Sequence, residues 1–99
     1  MDAKYSNVRP VSTSLHNTLD ALHARFDFTL TDATIEATGK YTDERTALFT
    51  FTRPDMGKFQ VREVCVNPPH PSKATHQNFK VTWEFVNPPA GLLKVLATL

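Results

Sequence analysis

Along this chain the spacing of apolar residues changes period once, near Phe26. Before that point Leu15, Leu19, Leu22 and Phe26 recur at spacings of four, three and four, the stripe that one face of an α-helix requires. Ser12 or Ser14 precedes the stripe and can accept a hydrogen bond from an unpaired N–H of the first turn. A helix of three to four turns, from about Ser12 to Arg25, is therefore predicted. Residues 1–11 have no period and end at Pro10, so they read as an N-terminal arm.

After Phe26 the period is two, which places alternate side chains on opposite faces of a strand. Phe26, Phe28 and Leu30 form a first run, and a turn at Asp32-Ala33 leads to a second through Ile35, Ala37, Gly39 and Tyr41. A polar turn at residues 42–45 precedes the third run, Thr46 to Arg53, with Ala47, Phe49 and Phe51 on its apolar side. Pro54-Asp55-Met56-Gly57 has the composition of a hairpin loop: proline presets the turn and glycine accepts a left-handed position. Phe59 and Val61 open the fourth run. Strict alternation would then send Glu63 inward and Val64 and Val66 outward, so a β-bulge near Arg62-Glu63 is expected to restore the valines to the core side. Phe79, Val81, Trp83 and Phe85 form the fifth.

The phrase Val-Asn-Pro-Pro occurs twice, at residues 66–69 and 86–89. Paired prolines remove two donors and cannot continue a ladder, so each copy marks the end of a strand. The first opens a Pro-rich loop at residues 67–78. The second precedes an apolar segment, 90–99, that matches a helix or a strand; helix is preferred on propensity, with Asn87 as cap and Pro88 at the first helical position. The expected fold is a single α+β domain over residues 1–99: one N-terminal amphipathic helix packed on a five-stranded antiparallel meander, with a short apolar C-terminal helix or strand. Helix followed by meander is similar to the order found in cystatins, but their Gln-Val-Val-Ala-Gly hairpin has no counterpart here, and no family is assigned.

Composition adds limits. The formal charge of +1 gives no long-range field toward polyanions or membranes. A single cysteine, Cys65, excludes an internal disulfide and suggests a reducing, cytoplasmic setting. The opening Met1-Asp2-Ala3-Lys4-Tyr5 has no apolar h-region, and no apolar run has a spanning length, so neither a signal peptide nor a membrane partner is expected.

Candidate chemistry is sparse. His16, Asp20 and His23 share one helix flank, but structural zinc takes four ligands, and the flank is read as an ordinary polar face. Cys65, His70 and His76 lack the third member of a triad. The three glycines are too scattered for a phosphate loop. No catalytic, cofactor or metal site is expected, and the chain is read as non-enzymatic. The leading expectation is a small intracellular module that contacts another protein or a second copy of itself. Its candidate contact residues are Pro68, Pro69, His70 and Pro71 in the loop, and Leu92, Leu93, Val95, Leu96 and Leu99 in the tail; an open sheet edge is a further candidate. The alternative is a nucleic-acid-binding protein that uses Lys40, Lys58, Arg62 and Lys80 on the outer, Thr-bearing face of the sheet.

Overall fold

Helix α1, Thr13–Ala24, begins where the serines are. Ser12 is its N-cap, and its Oγ accepts from the Leu15 N–H at 3.2 Å. Leu15, Leu19 and Leu22 are fully buried, which fits the stripe read from the sequence; each contributes about 1.5–3 kcal/mol. The structure, a computed structural model, describes residues 8–38, 44–66 and 80–97. Gly39, Lys40, Tyr41, the loop 67–78, Phe79 and Leu99 lie outside these.

Among the described residues four strands follow rather than five: β1 Thr29–Thr38, β2 Glu44–Arg53, β3 Gly57–Val66 and β4 Lys80–Val86. They form an antiparallel meander in the order β1-β2-β3-β4. The turn expected at Asp32-Ala33 is instead a bulge inside β1. Leu30 faces Phe51 and Asp32 faces Thr50, so Thr31 is the extra residue. Its hydroxyl donates to the Thr50 carbonyl at 3.3 Å. The change of parity between Leu30 and Ile35 is real, but one inserted residue produces it without reversing the chain. A continuous β1 pairs with β2 from Thr52 to Glu44, which satisfies backbone groups that a turn would leave exposed.

The bulge expected at Arg62-Glu63 does not occur. Strand β3 pairs in unbroken register with β2 from Glu44↔Val66 to Arg53↔Gly57, and with β4 from Gln60↔Val86 to Val66↔Lys80. Strict alternation therefore holds: Phe59, Val61, Glu63 and Cys65 are buried, while Val64 is half-buried and Val66 exposed on the outer face. Glu63 is tolerated inside because its carboxylate is fully engaged. Oε1 accepts from the Val11 N–H at 2.9 Å, Oε2 accepts from the Ser12 N–H at 2.8 Å, and Arg45 lies 3.5 Å away. Arg45 also donates to the Arg9 carbonyl. A buried carboxylate thus ties the segment leading into α1 to the centre of the sheet.

The inner face of the sheet meets α1 in one core. Phe49 and Phe51 are fully buried, as are Phe28 and Val61. Phe28 meets Phe59 edge-on at 5.3 Å between centroids, and Phe51 stacks on Phe59 at 5.8 Å. Trp83 and Phe85 pack on the rim, with the Trp83 indole N–H donating to the Ser14 Oγ at 3.1 Å. The β2–β3 hairpin closes with the Met56 N–H on the Arg53 carbonyl and Gly57 at φ 82°.

The C-terminal segment is helical: α2 spans Ala90–Leu96. Pro89, not Asn87, is its N-cap, and Ala90 rather than Pro88 is its first residue. Asn87 instead takes a left-handed conformation, φ 53°, that swings the chain off β4. Leu92 is fully buried in the core and Leu96 packs against it.

Candidate functional site

The outer face of the sheet forms a grid fixed by the registers. Across it run the rows Thr38–Glu44–Val66–Lys80, Glu36–Thr46–Val64–Thr82, Thr34–Leu48–Arg62–Glu84 and Asp32–Thr50–Gln60–Val86. A shallow groove of about 230 Å³ crosses its middle, lined by Thr34, Glu36, Thr46, Leu48, Gln60, Arg62 and Val86. Lys58 and Lys80 are exposed near opposite ends of β3 and β4. Arg62 is turned onto its cross-strand neighbour Glu84. Asp32, Glu36 and Glu44 share the surface, and no aromatic ring stands on it among the described residues. Lys40 lies outside them.

The tail candidates separate. Leu92 is buried, Val95 and Leu96 are half-buried, and Leu93 is 62% exposed. The described part of the segment docks on the core and leaves Leu93 facing out. Pro68, Pro69, His70, Pro71 and Leu99 fall outside the described residues.

The histidine flank does not converge. His16 Nε2 reaches Asp20 Oδ2 at 3.2 Å, whereas His23 Nδ1 lies 3.3 Å from the Phe28 carbonyl oxygen. Among the described residues no group of three metal-ligating side chains comes together. Cys65 is buried on the inner face, opposite Arg45 and Val81. His70 and His76 lie outside the described residues.

Arg53 forms a second polar anchor. It donates to both carboxylate oxygens of Asp55, at 2.6 and 2.8 Å, and to the Phe26 carbonyl at 2.8 Å. Its guanidinium also sits 5.1 Å from the Phe28 ring centroid. The hydrogen bond with Asp55 raises the Arg53 pKa and holds that of Asp55 below the usual carboxylate range. These contacts join the hairpin to the helix–strand connection and hold nothing toward a ligand.

What distinguishes the surface is its two edges. At β4 the edge is seven residues long, starts at Lys80 and ends at Val86, with Pro88-Pro89 just beyond. Short length, lysine and proline are ordinary defences against strand pairing. Strand β1 has ten residues, with neither lysine nor proline among them, and Thr34 to Thr38 are exposed on both faces. Ile35, on the inner face, is 39% exposed. Beyond the bulge, Asp32 to Thr38 run in regular register with β2 on one side, and among the described residues no strand pairs with the other. The sequence offers an open edge as a candidate without saying which strand forms it; the signal it carries is the Thr-rich stretch Thr29–Thr38, which lacks lysine and proline.

No family model, curated protein or solved structure matches this chain. Among the described residues no helix is long and apolar enough to cross a membrane.

Proposed function

We propose that this chain is a non-enzymatic module that binds another protein by accepting an extended segment along the edge of β1. The observation behind the reading is the stretch Thr34–Thr38, without lysine, proline or bulge, exposed on both faces and paired on one side alone among the described residues. Strand addition is favoured at such an edge because its backbone donors and acceptors are already aligned. Ala33, Ile35 and Ala37 offer apolar contacts on the inner side, and Asp32 and Glu36 offer carboxylates on the outer side. With one cysteine in the chain, and that one buried, a reducing compartment such as the cytoplasm suits it.

The test is titration of the isotope-labelled full chain with a short peptide of alternating valine and lysine, followed by amide shifts. Perturbations centred on Thr34–Thr38 are expected, with Lys58 and Lys80 unmoved. Perturbation confined to α2 or to the outer face of β2 to β4, or none at saturating peptide when the chain is monomeric, overturns the reading. The alternative, phosphate-backbone binding through Lys58, Arg62 and Lys80, has less support: Arg62 is turned to Glu84, and three further carboxylates share the face. It predicts oligonucleotide binding that weakens steeply with salt.

A further inference from the structure

Resting on that reading of the β1 edge, we infer that its occupant is the β1 edge of a second copy of this chain, paired antiparallel about a two-fold axis at Ile35. A two-fold axis normal to the sheet keeps both inner faces on the same side, so residues of like face must meet. With Ile35 on the axis, Ile35 faces its own copy, Ala33 faces Ala37, Thr34 faces Glu36 and Asp32 faces Thr38. No like charges are directly opposed. The neighbouring same-face registers fail this condition. Centring on Thr34 sets Asp32 against Glu36, and centring on Glu36 sets that carboxylate against itself; like charges directly opposite destabilise a sheet.

Side-chain character agrees with the charge pattern. Ala33, Ile35 and Ala37 are small or branched apolar residues on the inner face of an edge, next to Phe49, Ala47 and Arg45 of β2. Self-pairing joins these three positions to the same three of the partner copy and withdraws the exposed Ile35 side chain from water. The two meanders become one continuous sheet with both α1 helices on a single side. The absence of lysine, proline and bulge from Asp32–Thr38 is then the feature that permits pairing, since these are among the devices that block it.

Sedimentation of the full chain across a concentration range, combined with cysteine crosslinking, tests this. Wild-type protein should shift reversibly to dimer. Ile35→Lys should raise the dissociation constant roughly tenfold or more, since it sets like charges face to face on the axis. Ala37→Lys, at an exposed position, gives a second reading should the first variant fold poorly. Under mild oxidation Ile35→Cys should crosslink to itself, because directly paired Cα atoms lie roughly 4.5 or 5.5 Å apart, within disulfide reach. Thr34→Cys and Glu36→Cys should each stay uncrosslinked alone and crosslink when mixed. Wild type, whose Cys65 is buried, is the control. A chain that stays monomeric, or a dimer that crosslinks through Leu93→Cys in place of Ile35→Cys, overturns the self-pairing. If the valine–lysine peptide still perturbs Thr34–Thr38 in such a monomer, strand binding stands and only the second copy falls. Silence in both experiments removes both.

Discussion

Replacing Glu63 tests the core of the fold most directly. Its carboxylate is 1% exposed and receives two backbone N–H groups, from Val11 and Ser12, with Arg45 close by. Glu63→Gln keeps the shape but turns one acceptor into a donor, which faces an N–H it cannot bond. One charge-assisted bond is lost and a part-buried donor is orphaned, a cost of about 1.5–3 kcal/mol. Glu63→Ala removes both acceptors and leaves the half-buried Arg45 without its carboxylate, which raises the cost to about 3–5 kcal/mol. Urea unfolding followed by Trp83 fluorescence suits the measurement, because the indole N–H donates to Ser14 in the first turn of α1. The glutamine variant should also increase amide exchange at Val11 and Ser12 before global unfolding. A loss below about 0.5 kcal/mol for Glu63→Ala, the scale of an ordinary surface change, would refute the claim that this carboxylate anchors the helix to the sheet.

Other substitutions probe separate parts of the structure. Leu92→Ala should cost about 2–5 kcal/mol in the same urea assay, because its side chain is fully buried against the core; a surface-sized effect would mean that α2 does not dock. Gly57→Ala has open space for its methyl group but a φ of 82°, so a loss of about 1 kcal/mol from backbone conformation alone is expected. The lowered pKa of Asp55 adds stability above its unfolded value, near 3.8, that is lost as pH falls through the lower folded value. Asp55→Asn should therefore flatten the acid limb of stability below about pH 4 slightly, the pair being exposed. Arg53, whose pKa its bond to Asp55 raises further, stays charged throughout that range and adds no slope there.

Local pattern was enough for much of the architecture. Three leucines at helical spacing and a capping serine specify α1, since a helix needs only a continuous apolar stripe and a partner for its first N–H groups. Alternation specifies which side of each strand enters the core: Phe49, Phe51, Phe59 and Val61 are all inside. The same alternation points Glu63 inward and Val64 and Val66 outward, and the expected bulge would have returned the valines to the core in place of the carboxylate. Nothing in the sequence near residue 63 reveals that Val11, Ser12 and Arg45 converge on it, because those partners are 52, 51 and 18 positions away.

The number of strands shows the same division. A change of parity after Leu30 was legible, yet a bulge and a turn write it identically along a single strand. Only pairing distinguishes them, and β2 is long enough to hold β1 as one piece. The tail was ambiguous for a like reason: its leucines suit either period, and the pocket that takes Leu92 is built from residues of other elements. Which edge remains open is likewise a property of the assembled sheet. Periodicity is local and survives in the primary structure; burial of a charge, choice of bulge over turn, and exposure of an edge depend on groups brought together only when the chain has folded.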